Sequence, residues 1–225
     1  MKTVYSSPVE AVLLLGPTGS GKSPLGEHIA KNGLFGKKAH HLDFGAELRA
    51  ILSQNDPSLP YTTSEIAFIK GVLEQGLLLE DRHFPLAKKI IHSFLERSCF
   101  SSNDVLILNG IPRHAGQAND IASIVAVRTL FILQCSFDSV FCRLRDNAGG
   151  DRTGRFDDDD ELVDKKLRLF NERTTPLVDH YTKAGTTVIP IKISGTTTAE
   201  DAFRQISMFA PGHPPVPFVA EPPQR

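Results

Sequence analysis

Five short apolar runs recur along the chain, at Ala11–Leu15, His40–Asp43, Val105–Asn109, Thr129–Gln134 and Thr187–Ile193. Runs of this length, rich in β-branched residues and without strict alternation, predict strands buried on both faces. The longer stretches between them carry helix signals. Thr62, with Glu65 three residues on, fits a capping box, and Gly76 supplies a C-terminal stop. Asp158 to Lys183 reads as one long helix, bent or broken near Pro176. Strands alternating with helices predict an α/β fold whose parallel sheet is covered on both sides.

Two places break this rhythm. Residues 45–98 place two or three helices between the second and third strands, more than a crossover needs, and predict an inserted helical subdomain. The stretch "RDNAGGDRTGRFDDDD" is glycine and charge with almost no apolar residue, which predicts an exposed, mobile loop. Past these, "APGHPPVPFVAEPPQR" is proline-rich and predicts an extended or disordered tail. The organisation is thus one domain over 1–209 and a tail over 210–225.

Composition removes several function classes. Lys plus Arg is 25 against 26 Asp plus Glu, so no surface for nucleic acid or membrane is expected. The three cysteines form no CxxC pair and the eight histidines no HExxH, so neither zinc nor a disulfide framework is expected. Cys135 and Cys142 lie in apolar stretches and are expected to be buried thiols. Adjacent His40 and His41 should point to opposite faces of their strand. No stretch approaches the ~18 apolar residues of a membrane span, and the first apolar run is too short for a secretory signal. A reduced, cytoplasmic protein is expected.

The first strand empties into "GPTGSGKS", Gly16–Ser23, a GxxxxGK[ST] motif followed by an amphipathic helix. Gly16, Gly19 and Gly21 let the backbone curl, so that N–H groups along the loop, including those of Thr18 and Ser20, point at phosphate oxygens. The helix adds its positive N-terminal end. Lys22 can reach the β- and γ-phosphates, and the Ser23 hydroxyl can ligate Mg²⁺. Pro24 falls in the first helical turn, where a missing N–H costs little. The motif indicates a nucleoside triphosphate and says nothing of the acceptor.

The acceptor signal lies in "NGIPRHAGQ", Asn109–Gln117. The strand before it should run beside the P-loop strand and open into the same crevice. Arg113, behind a rigid proline, suits a second substrate's phosphate. Arg49 could converge on that phosphate, and Gln117 could read a base edge. Alone, Arg49 or Gln117 would mean little, and the acids Asp159 and Asp160 read as a helix N-terminus.

With "GPTGSGKS", "DFGAELR", "NGIPRHAGQ" and "TGRFDDDDELVDKK…TTPLV" in this order and spacing, the sequence resembles the adenylate kinase family of nucleoside monophosphate kinases over roughly residues 10–205. The resemblance implies a P-loop NTPase three-layer fold with a five-stranded parallel sheet, a helical monophosphate-binding insertion at 45–98 and a short lid at 146–156. It implies ATP and a nucleoside monophosphate as partners, Mg²⁺ with ATP, no zinc, and a monomer. By the same resemblance Arg113 and Arg49 hold the monophosphate and Gln117 recognises adenine. Phe44, Gly45, Leu77, Leu79 and Gly110 line that pocket. Arg155 and Lys166 join Lys22 and Arg113 as the catalytic cations and also contact AMP, and Asp157 and Asp158 belong to the lid hinge. Gly195 packs on the ATP adenine, and Arg143, Arg145 and Arg152 compete for one further ATP contact.

Four positions depart from the family pattern. Asn109 stands where an aspartate is usual, Phe44 where a small residue is, His114 where Thr is common, and Lys166 where an arginine is. Asp43 or Asn109, through water, is then the candidate second group at the metal. Three readings follow: an adenylate kinase-like enzyme; a kinase of another monophosphate or a small metabolite, suggested by Phe44 and Asp43; and a nucleotide-binding protein of low turnover, suggested by Asn109 and Lys166.

Overall fold

The structure is a computed structural model that describes residues 7–53, 60–150 and 160–209. Five strands form one parallel sheet: β1 (Val9–Leu15), β2 (Ala39–Asp43), β3 (Val105–Asn109), β4 (Val125–Cys135) and β5 (Thr187–Ile193). Their spatial order is β2–β3–β1–β4–β5, with every adjacent pair parallel. The five apolar runs are therefore the five strands. β4 begins earlier than its run because Arg128 is an exposed bulge: Ala11 pairs with Val127, and the next residue, Val12, pairs with Thr129. The arginine ends the apolar run without ending the pairing.

Alternation along the strands feeds two cores. Leu13, Leu42, Leu108 and Leu130 face one side of the sheet, and Leu14, Ile107 and Phe131 face the other. On the second side lie α1 (Lys22–Asn32) and α9 (Ala199–Ser207), with Leu25, Ile29 and Ile206 buried. On the first side lie α4 (Phe84–Arg97), α5 (Ala115–Ile121) and α8 (Leu177–Lys183), contributing Ile90, Ile121 and Val178. His40 and His41 do face opposite ways. His40 is buried with Nε2 2.9 Å from Asp104 Oδ2, while the His41 ring lies against Gly26 of α1.

Three helices separate β2 from β3: α2 (Phe44–Ser53), α3 (Thr63–Gln75) and α4, with a short 3₁₀ turn at Asp81–His83. Thr62 and Glu65 form the reciprocal capping box, and Gly76 ends α3 in the left-handed conformation at φ 60°. Helix α6 (Phe137–Arg145) follows β4.

Two expectations need correction. The region read as one long helix is α7 (Asp160–Leu169), a π-helical segment at Phe170–Thr174 and then α8. The break thus starts six residues before Pro176. That proline has no N–H and its ring crowds the carbonyl four residues back, so the preceding turn widens, and Thr175 N–H reaches Phe170 O. The second correction concerns the thiols: Cys142 is exposed and Cys135 half-buried. On α6 the buried residues are Val140 and Arg143, the arginine only 5% exposed, while Phe141 stays 44% exposed. The arginine wins the inward position because carbonyl groups wait for it there. No helix among the described residues is long and apolar enough to cross a membrane.

Candidate active site

The C-terminal ends of β1, β2 and β3 open into one cleft, the crevice where open α/β sheets bind ligands. On one wall is the P-loop. Gly19 and Gly21 adopt φ of 78° and 91°, which side chains resist, and Gly21 is the N-cap of α1. At Gly16 a Cβ would come within 2.7 Å of Ser20 Oγ and 2.9 Å of Leu133 Cβ. Ser20 is fully buried and does not line the cleft; its hydroxyl and its backbone N–H both donate to Pro17 O, so it shapes the loop and the expected phosphate contact is not seen. Lys22 Nζ donates to Gly16 O at 2.8 Å and Pro17 O at 2.7 Å, which folds the ammonium over the loop. Gly16, Thr18, Gly19, Gly21, Lys22 and Ser23 all line the cleft.

Beside α1, Ser23 Oγ donates to Asp43 Oδ2. Asn109 Nδ2 donates to the same Asp43 oxygen at 3.0 Å and to Ser23 Oγ at 3.1 Å. His41 lies behind them, its Nε2 3.5 Å from Asn109 Nδ2; burial lowers its pKa, and Asp43 opposes this. Among the described residues no three His, Cys, Asp or Glu side chains gather to hold a metal. Ser23 and Asp43 fit a cation that arrives with phosphate oxygens of its own.

Across the cleft stands Arg113. Its backbone N–H donates to Gln117 Oε1 at 2.7 Å, and its carbonyl accepts from Thr174 Oγ1 at 2.8 Å. Its side chain has no hydrogen-bond or ion-pair partner among the described residues, and burial pushes its pKa down to about 10. Phe44, Gly45, Arg49, Leu77, Leu79, Gly110, Gln117 and Lys166 line the same cleft. Phe44 is buried at its floor.

Gln117 is tied to its surroundings. Its Nε2 donates to Leu79 O at 2.7 Å, leaving one N–H and one lone pair of the amide for anything else. His114, at the Thr position of the family motif, caps α5. Its Nδ1 accepts from Gln117 N–H, so its Nε2 carries the proton and donates to Leu79 O at 2.8 Å. The Leu79 carbonyl thus receives two donors.

The three competing arginines separate. Arg143 Nε donates to Gly19 O at 3.0 Å, and its Nη1 donates to Ser194 O at 3.0 Å and Thr197 O at 2.7 Å. It joins the P-loop to the turn after β5 and also lines the cleft. Arg145 is exposed and paired with Asp146, away from the cleft lining. Arg152, with Arg155, Asp157 and Asp158, lies outside the described residues. Gly195 does not line the cleft; it sits in the turn whose neighbouring carbonyls clasp Arg143. Thr174 and the Glu80–Arg173 ion pair, at 2.7 Å, went unread in the sequence. The "TTPLV" segment held the signal for Thr174, but only its distance from Arg113 shows the contact.

No family model matches the chain. It is 30% identical over 176 residues to the adenylate kinase of Bacteroides thetaiotaomicron, covering 76% of this chain and 83% of that one. It is 27% identical over 196 residues to the adenylate kinase of Treponema denticola, covering 76% and 86%. With that of Haloarcula marismortui it shares 24% over 227 residues, covering 90% and 97%. A solved sugar kinase from a Janibacter species aligns at a TM-score of 0.46 and 13% identity, covering 89% of this chain and 94% of the other. The P-loop, the arginine-bearing turn after β3 and the adenylate kinase relatives agree, and the chain belongs to the adenylate kinase family of phosphotransferases.

Proposed function

We propose that the chain reversibly transfers the γ-phosphoryl group of ATP, bound with Mg²⁺, to a nucleoside monophosphate, and that the acceptor is AMP. An oxygen of the acceptor phosphate attacks the γ-phosphorus, the bond from that phosphorus to the β–γ bridging oxygen breaks, and two ADP result. The observation that carries the reading is Arg113: a half-buried guanidinium without a carboxylate partner among the described residues, facing the P-loop across one cleft. A buried cation left unpaired is costly unless an anion completes it. Arg49 and Lys166 line the same space and add positive charge where the transferring phosphoryl spreads its own negative charge.

In this reading Lys22 and the loop N–H groups take the ATP phosphates, and Ser23 holds the cation. The cation supplies charge neutralisation on the phosphates; the protein orients and excludes water. Residues 146–156, carrying Arg155, serve as a lid with Asp157 and Asp158 at its hinge, and residues 45–98 act as the acceptor-binding insertion. Gln117 presents its remaining N–H and lone pair to adenine.

A second reading, transfer to another monophosphate, draws on two observations: the committed Gln117 amide and the Phe44 ring buried in the acceptor pocket. A coupled ADP assay with ATP, Mg²⁺ and AMP, CMP, UMP, GMP or dTMP decides. Clear preference for AMP supports the first reading, preference for another base supports the second, and no ADP with any acceptor refutes both.

A further inference from the structure

The family resemblance expects an acid at the end of the third strand, and this chain has Asn109 there. We propose that the acid has moved one strand over. Asp43 at the end of β2 is the carboxylate that faces the divalent cation accompanying ATP, and Asn109 is its positioning residue. The proposal rests on the ATP site described above and deepens it.

Charge is the first argument. Five cationic residues line the cleft, Lys22, Arg49, Arg113, Arg143 and Lys166, and Asp43 is the sole carboxylate among the described lining residues. A divalent cation entering with triphosphate therefore meets one protein carboxylate there.

Geometry is the second. Asp43 and Asn109 are register partners across the parallel β2–β3 pair. Asp43 Oδ1 accepts the Ala46 N–H at 2.9 Å, which fixes the carboxylate against the start of α2. Oδ2 is turned to Ser23, the hydroxyl of the P-loop motif, and takes the Asn109 amide at 3.0 Å. The carboxylate is thus held at both oxygens, with one beside the hydroxyl expected to ligate the cation.

Repulsion between neighbouring carboxylates accounts for the amide. A carboxylate at position 109 would set a second negative oxygen about 3 Å from Asp43 Oδ2. Two carboxylate oxygens in contact repel one another. An amide turns that contact into a hydrogen bond. Asn109 is then the complement of an acid at position 43, and the strand pair carries a single negative charge. A hydroxyl, one carboxylate, phosphate oxygens and water make an oxygen-only set that suits Mg²⁺.

The test measures ATP affinity by calorimetry with Mg²⁺ and again with EDTA, and counts bound Mn²⁺ by electron paramagnetic resonance in the ATP complex. Asp43→Asn keeps the capping acceptor at Ala46, so the fold is preserved. It should cut the Mg²⁺ enhancement of ATP binding by about 10- to 100-fold while metal-free ATP binding holds or tightens. The exchange Asp43→Asn with Asn109→Asp should restore the enhancement. Asn109→Asp alone should strengthen Mn²⁺ binding, and it is read if the first variant folds poorly. An enhancement unchanged in Asp43→Asn, or in the fallback Mn²⁺ binding unchanged in Asn109→Asp, overturns the proposal. Failure of the unaltered protein to bind ATP at all would instead refute the ATP site on which it rests.

Discussion

Replacing Arg113 with Met should move stability and ligand binding in opposite directions. Burial brings the guanidinium well below the ordinary arginine range, to about 10. At about 1.4 kcal/mol per pH unit, that shift corresponds to about 3 kcal/mol held against the charged form. The residue is only partly enclosed, since it opens on the cleft, so solvent screening leaves about 1–2 kcal/mol. The sign follows from linkage. Between about pH 10 and 12.5 the unfolded chain holds the proton more tightly than the folded one, so the penalty is full at neutral pH and fades only above about pH 10. Met keeps the length and carries no charge, so the unliganded protein should gain about 1–2 kcal/mol. Each charge-assisted hydrogen bond to the acceptor phosphate is worth about 1.5–3 kcal/mol. Losing a bidentate pair should therefore weaken acceptor binding by roughly 100-fold or more. Urea denaturation with and without AMP reads both effects. At a concentration of about 100 Kd, the unaltered protein should gain about 2.7 kcal/mol from AMP, whereas the two Arg113→Met curves should nearly coincide. A less stable unliganded variant would refute the reasoning, because the side chain would then be holding the fold rather than awaiting an anion.

Arg143→Leu removes the shared donor of three carbonyls, Gly19, Ser194 and Thr197, and should cost about 2–4 kcal/mol in urea denaturation. ATP affinity should fall with it; full stability with weakened ATP binding would make Arg143 a ligand contact alone. Gly26→Ala drives a Cβ to 2.2–2.6 Å from three atoms of the half-buried His41 ring and should cost about 1–3 kcal/mol. Gly116→Ala meets only the exposed Asp81 carboxylate, which can swing aside, and should be neutral or stabilising by about 0.5–1 kcal/mol in the same assay. His41, His83 and His92 all have pKa values lowered first by burial, so the unfolded chain binds more protons below the ordinary 6.5. Stability should fall as pH drops through 6.5. His41→Gln should flatten that slope when denaturation midpoints are compared between about pH 7 and 5, and an unchanged slope would remove His41 from the account.

The strands were legible because each is a short apolar run buried on two faces, and the P-loop because its residues are contiguous. The turn after β3 was legible for the same reason: Asn109, Arg113 and Gln117 fall within nine residues. What could not be read was orientation. Arg143, Arg145 and Arg152 are alike as letters, and only the carbonyls of Gly19, Ser194 and Thr197, distant in sequence, turn Arg143 inward. The same contacts put Cys142 outside, against the expectation from its apolar neighbours. The sequence marks a break near Pro176, the residue that causes it, whereas the strain is taken up over the preceding turn.

Arg113 owes its place to contacts that use none of its side-chain chemistry. Gln117 holds its N–H, Thr174 holds its carbonyl, and Gln117 and His114 share the Leu79 carbonyl. Glu80, next along, pairs with Arg173, next to Thr174. Three segments, the turn into α5, the stretch around Leu79 and the π-helical segment, are thereby bound into one unit around a single backbone position. The backbone that carries this guanidinium is ordered on folding, so only side-chain freedom is left to lose when an anion reaches it. This also gives His114 a physical role: it adds a second donor to the carbonyl that holds Gln117. The residue most specific to the motif is thus committed first to the shape of the pocket, and base recognition falls to whatever that commitment leaves of its amide.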